Sequence, residues 1–156
     1  MNTTKWSHLP NAAHIDAVIA SVKANPDEWD AAWHAARNAA WHAARNAAWH
    51  AALDAAWHAA RYAARDVAWG AARNAAWYAA REAVQGVALD AARNAVRDAV
   101  LALVAYDDCA HMLDSEPDDL RILSKLGSHA ATLMIPAAIA FKLIREKQLI
   151  TVDTTL

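Results

Sequence analysis

The sequence has few of the residues that interrupt helices or cross-link chains. Its 156 residues include three glycines, four prolines and a single cysteine, Cys109. One cysteine excludes an intramolecular disulfide and favours a reducing compartment, so we expect Cys109 to be a small buried apolar residue. No proline occurs between Asp27 and Glu116. Because proline breaks the interior of a helix, its absence from so long a stretch is typical of helical structure.

The chain also lacks a long apolar run and a large excess of either charge. Its longest apolar tract, ATLMIPAAIAF, covers about half a bilayer and contains a proline, so it predicts a core helix. The N-terminal stretch MNTTKWSHLPNAAH has no apolar signal-peptide segment, and we expect a cytoplasmic protein with no membrane partner. The 15 basic and 17 acidic side chains give a net charge of −2, which excludes a uniformly basic nucleic-acid coat.

Alanine dominates the middle of the chain and indicates an all-α fold. It fills 31 of the 70 positions from Ala31 to Val100, and it is the strongest helix former because it loses no side-chain entropy. We predict one all-α domain, residues 1–156, that forms a bundle built from long alanine-rich helices. Within it, residues 1–25 form an N-terminal helix and lead-in, 26–114 the repeat helices, and 115–156 the C-terminal helices.

Several short motifs predict where individual helices begin and end. In NPDE, Asn25 can cap a helix, Pro26 suits its first turn, and Glu28 can reach back to the cap. SEPDD, which begins at Ser115, repeats this start signal, and LGSH predicts a turn before a last helix from about Ala130 to Gln148. Only the terminal LITVDTTL resembles a strand.

The segment WHAARNAAWHAARNAAWH, residues 33–50, repeats with a period of four. Each α-helical residue advances about 100°, so a four-residue repeat overshoots one turn by roughly 40° and its alanine stripe winds around the helix in about 36 residues. Three outcomes are compatible with this winding. The run can break into several helices near Gly70 and Gly86, it can form a long helix whose successive turns contact different neighbouring helices, or it can widen locally into π-helix. We favour the first two in combination. Paired alanines allow close helix packing, and we expect a homo-oligomer because alanine buries little area.

Tryptophan and arginine share one column of the repeat, and histidine and asparagine fill the next. One interpretation is structural, with tryptophan in the core and arginine stacked on its indole face. The other is a binding surface, in which indoles stack on a base and guanidinium groups bind phosphate. The candidate ligand-binding residues are Trp33, Arg37, Trp41, His42, Arg45, Trp49, Trp57, Arg61, Trp69, Arg73, Trp77 and Arg81.

No motif in the sequence predicts catalysis or a cofactor. His34, His42, His50 and His58 recur every eight residues, which places consecutive rings about 80° apart on a helix and does not bring them together on a metal. Asp107 and His111 lie one helical turn apart near Cys109, and without a second ligand pair they indicate a polar helix end. Phosphate-binding glycine loops and serine elbows are absent. We therefore predict no catalytic residues, no metal and no cofactor.

The run AAWHAARNAAWHAARNAAWHAALDAAWHAAR, followed by ALVAYDDCAHMLD, resembles alanine-rich tetrad-repeat proteins of tailed phages and prophages. It is more distantly similar to immunity proteins of bacterial toxin loci. The resemblance covers about residues 30–119 and implies a cytoplasmic protein of a bacterial host that acts in phage–host conflict. It carries no catalytic residue over to this chain.

These observations predict a non-enzymatic counter-defence protein that sequesters a small anionic, nucleotide-like signalling molecule. Long nucleic acid is a poorer ligand, because a winding Trp/Arg column makes no continuous basic stripe. Two alternatives stay open. The chain could be a helical interaction module that docks a protein partner such as a toxin or defence effector, or it could be a structural phage component.

Overall fold

A computed structural model describes residues 6–7, 9–63 and 78–154. For residues 57–63 and 152–154 it describes the backbone only. The α-helices are α1 (Ala12–Ala24), α2 (Pro26–Ala36), α3 (Ala39–Ala63), α4 (78–84), α5 (Asp90–Ala105), α6 (Pro117–Lys125) and α7 (His129–Thr154), and a 3₁₀ turn spans Ala110–Asp114. No β-strand occurs in this described part, which confirms the all-α prediction there.

Helices α5 and α7 form the centre of the fold. They pack against each other, and both contact α2 and α3. Every residue from 130 to 140 of α7 is buried, as are most residues of the second half of α5. The ATLMIPAAIAF tract is therefore a core helix, as its composition predicted.

A break between α2 and α3 interrupts the repeat at Arg37 and Asn38, where we predicted none. Arg37 is extended, with φ −75° and ψ 118°, and the side-chain oxygen of Asn38 accepts the backbone N–H of Trp41 at 2.8 Å. Asn38 thus caps α3 in the manner expected of an N-cap residue. Of the two breaks that we predicted, Gly86 follows α4 with φ +81°, and Gly70 lies outside the described residues.

The starts of α2 and α6 agree with their proline signals, but the predicted capping box is wrong. Pro26 and Pro117 begin α2 and α6. The side chain of Asn25 makes no cap for α2 and instead donates to the Ser21 carbonyl at 3.2 Å. Glu28 turns away because Lys147 of α7 donates to its carboxylate at 2.8 Å, and this hydrogen bond lowers the pKa of Glu28.

The C-terminal helix is longer than its composition suggested. It continues from His129 to Thr154 and includes most of the LITVDTTL segment, although we predicted an end near Gln148. No glycine or proline stops the helix after Pro136, so its hydrogen-bond ladder can continue.

Two side chains satisfy carbonyl groups at the C-terminal end of α5. Asn11 is buried and donates to the carbonyls of Leu103 at 3.0 Å and Tyr106 at 2.9 Å. The Cys109 thiol lies 3.4 Å from the Ala102 carbonyl. Cys109 is buried, as we predicted, and this burial raises the pKa of its thiol to about 12.

Neighbouring alanines of α3 face opposite environments and offer a test of its packing. Ala48 is fully buried, whereas Ala47 is exposed. We expect Ala48→Leu to lower the free energy of unfolding by about 1–3 kcal/mol through overpacking, and Ala47→Leu to change it by less than about 0.5 kcal/mol. Urea denaturation of the two variants measures both values, and equal effects would contradict this orientation of α3.

Candidate functional site

One Arg–Trp pair of the repeat binds a buried carboxylate on another helix. Asp98 lies on α5 and its side chain has no solvent exposure. Arg45 of α3 donates from Nε to one carboxylate oxygen at 2.6 Å and from Nη2 to the other at 2.8 Å. Trp49, one helical turn further along α3, donates from Nε1 at 2.7 Å. We call these three residues the carboxylate clamp.

The clamp balances a large desolvation cost with charge-assisted hydrogen bonds. Burial raises the pKa of Asp98, and the hydrogen bonds from Arg45 and Trp49 oppose that rise. A carboxylate that is removed from water without partners costs several kcal/mol, which only a well-formed set of donors offsets. The paired fork of Arg45 and the indole N–H supply three such donors, so the ion pair fixes how α3 docks on α5.

The indole faces around the clamp stack on the guanidinium group. The central carbon of Arg45 lies 5.0 Å from the centre of the Trp33 ring and 5.6 Å from that of Trp49. Both distances lie within the range of cation–π contacts. The guanidinium group therefore has aromatic neighbours from α2 and α3 as well as its carboxylate partner. This matches the structural interpretation of the column for Trp33, Arg45 and Trp49.

Trp41 supports the adjacent part of the core through a backbone hydrogen bond. Its Nε1 donates to the Thr132 carbonyl of α7 at 3.1 Å, and its ring meets Trp33 edge to face at 5.0 Å. In an α-helix the Thr132 carbonyl would accept the N–H of residue 136, but that residue is Pro136 and has no N–H. Trp41 thus supplies the donor that the proline removes.

The predicted ligand-binding residues separate into three groups. Trp33 and Trp41 are buried in the core, while His42, Arg45 and Trp49 are half-buried beside them. Arg37 and Arg81 are exposed, one at the break before α3 and the other on α4. The side chains outside the described residues are those of Trp57, Arg61, Trp69, Arg73 and Trp77.

The partners of the column were not among the candidate residues. Asp98 is the carboxylate within the stretch AVRDAVLALVA, most of which is buried, and a carboxylate among buried apolar residues needs a partner. Pro136 gives a similar signal, since a proline inside a helix frees the carbonyl four residues before it. Neither signal identifies which tryptophan or arginine donates to the buried carboxylate or to the free carbonyl, because the repeat contains several equivalent side chains.

The described residues hold no group of three histidine, cysteine, aspartate or glutamate side chains placed to bind a metal ion. Among the described residues, no helix is long and apolar enough to span a membrane.

Comparisons with protein-family models, with curated proteins and with solved structures find no match to this chain.

Proposed function

We propose that the protein is a non-enzymatic helical interaction module whose Arg–Trp pairs bind acidic side chains of a partner protein. The observation that carries the proposal is the carboxylate clamp, in which Arg45 and Trp49 together hold Asp98 of a neighbouring helix. The clamp uses the indole N–H as a donor toward the acid, and it uses the indole faces for the arginine. A stacked base would need those faces free.

The same spacing of arginine and tryptophan recurs elsewhere in the chain. Arg37 precedes Trp41 by the four residues that separate Arg45 from Trp49, but Arg37 is exposed and Trp41 donates to a backbone carbonyl instead. Arg65 precedes Trp69, and Arg73 precedes Trp77, by the same four residues. These two pairs lie outside the described residues. We propose them as the clamps that take carboxylates from a partner, of the kind that a toxin or defence effector would present.

Sequestration of a nucleotide-like ligand is a second proposal that rests on the same arginines. A guanidinium fork that binds a carboxylate at two oxygens also matches phosphate geometry. Arg37 and Arg81 are exposed in the described part of the chain and could contribute to such a site. The two proposals differ in the ligand class, so one binding experiment separates them.

The experiment uses two labelled alanine-rich helical peptides, one with a single central aspartate and one with asparagine at that position. Fluorescence anisotropy measures their affinity for the full chain, and the double variant Arg65→Ala, Arg73→Ala tests the proposed clamps. We expect only the aspartate peptide to bind, and the variant to weaken binding by at least about tenfold because charged hydrogen bonds are lost.

The matched control is Arg37→Ala, because Arg37 begins the same octapeptide as Arg45 but is exposed at the break. This control should leave the affinity for the peptide unchanged. Equal binding of the two peptides, or binding of neither, contradicts the carboxylate proposal. A rise in melting temperature with ATP or a cyclic dinucleotide, lost in the double variant Arg37→Ala, Arg81→Ala, would instead support nucleotide binding.

A further inference from the structure

Two identical octapeptides adopt different conformations in this chain. Residues 37–44 and 45–52 both read RNAAWHAA. The second copy is continuous helix within α3, whereas the first begins with the extended Arg37 and the capping Asn38. The local sequence is therefore compatible with helix at Arg37 and Asn38, and the bend between α2 and α3 depends on contacts made elsewhere in the fold.

The contacts that hold the bend join two separable parts of the chain. Helix α1 packs against α2 and α5, and α2 packs against α5 and α7. Asn11 caps α5, the Trp29 ring meets Phe141 at 5.9 Å, and Glu28 pairs with Lys147. Arg37 and Asn38, the two residues at the bend, are exposed. Across the bend, the Trp33 ring of α2 meets the Trp41 ring of α3 at 5.0 Å and lies 5.0 Å from the central carbon of Arg45. The Asn38 side chain caps α3, and Arg121 donates to the Ala35 carbonyl at 3.4 Å.

From this we infer that Arg37 and Asn38 form a hinge through which two copies of the chain exchange helices α1 and α2. If Arg37 and Asn38 both adopt helical φ and ψ, residues 26–63 become one helix about 57 Å long. Helices α2 and α3 then cannot both pack on the same α5 and α7, so α1 and α2 must dock on a second copy. Each copy would recover the same buried contacts, and such exchange is a known route to dimers.

Three variants test the exchange by size-exclusion chromatography with light scattering after refolding over a range of protein concentrations. Asn38→Ala removes the cap of α3 and favours the straight helix, while Asn46→Ala makes the same change in the helical octapeptide as a control. Loss of one N-cap shifts a helix equilibrium by about fivefold. Because each dimer straightens two hinges, we expect the dimerisation constant of Asn38→Ala to rise by about thirtyfold. Ala39→Pro suits the first position of α3 but breaks a continuous helix, and should stay monomeric.

Cross-linking distinguishes an exchanged dimer from a side-by-side one. Chains carrying Asn38→Ala with Glu28→Cys are refolded together with chains carrying Asn38→Ala with Lys147→Cys, and a bifunctional maleimide is added. In the exchanged dimer, position 28 of one copy lies beside position 147 of the other, as it does within one chain here. Cys109 is buried and does not compete for the reagent.

We expect a cross-linked pair of chains with this mixture and none when Ala39→Pro replaces Asn38→Ala in both chains. The inference is overturned if Asn38→Ala is monomeric at every concentration. A dimer that gives no cross-link between positions 28 and 147 overturns it as well.

Discussion

Replacing Arg45 with alanine is expected to lower the free energy of unfolding by about 3–5 kcal/mol, because it leaves Asp98 buried without its charged partner. The Asp98 side chain is fully buried and receives two of its three hydrogen bonds from Arg45. The Trp49 indole remains as one donor but carries no charge. Urea denaturation monitored by circular dichroism gives the change directly.

Arg37→Ala is the control for this prediction. Arg37 occupies the same position as Arg45 in an identical octapeptide, but it is exposed. We expect its replacement to change the free energy of unfolding by less than about 0.5 kcal/mol. If both variants lose the same stability, the effect belongs to arginine in this repeat and not to the contact with Asp98.

Replacing Trp41 with alanine is expected to cost about 3–5 kcal/mol, the usual range for truncation of a buried tryptophan. Trp41→Phe separates packing from hydrogen bonding, because it keeps an aromatic ring but removes the donor to the Thr132 carbonyl. Leaving that buried carbonyl unsatisfied should cost about 1–3 kcal/mol. Both values come from denaturation of the purified variants.

Pro136→Ala provides the matched background for Trp41→Phe. Alanine at position 136 restores the backbone N–H that the Thr132 carbonyl lacks. Trp41→Phe should therefore cost about 1 kcal/mol less in that background, since residues that share one hydrogen-bonding group are coupled. An equal cost in both backgrounds would contradict the claim that Trp41 replaces the donor that Pro136 removes.

Much of the helical organisation followed from local signals. Pro26 and Pro117 marked helix starts, and the stretch before Ser128 marked the turn at Gly127, where φ is +98°. These residues restrict or permit backbone conformations wherever they occur, so a sequence alone reveals them. The alanine content likewise predicted helix, because that preference is intrinsic to the residue.

The bend at Arg37 and the partner of Arg45 could not be predicted in this way. The octapeptide that bends at 37–44 is the one that is helical at 45–52. Only packing against α5 and α7 distinguishes the two copies. Asp98 lies 53 residues from Arg45, and no short-range pattern connects them. In a repeat, such partners are harder to predict from the sequence because several arginines and tryptophans occupy equivalent positions.

The account depends most on the claim that an Arg–Trp pair of the repeat acts as a clamp for a carboxylate on another helix. A double-mutant cycle with Arg45→Met and Asp98→Leu tests that claim directly. Arg45→Met leaves the buried Asp98 without its charged partner, and Asp98→Leu leaves the half-buried Arg45 without its carboxylate. The double variant replaces the ion pair with apolar side chains, a change that is often nearly neutral in such sites. We predict that the double variant is at least about 2 kcal/mol more stable than the sum of the single effects implies. Additive losses would contradict the clamp.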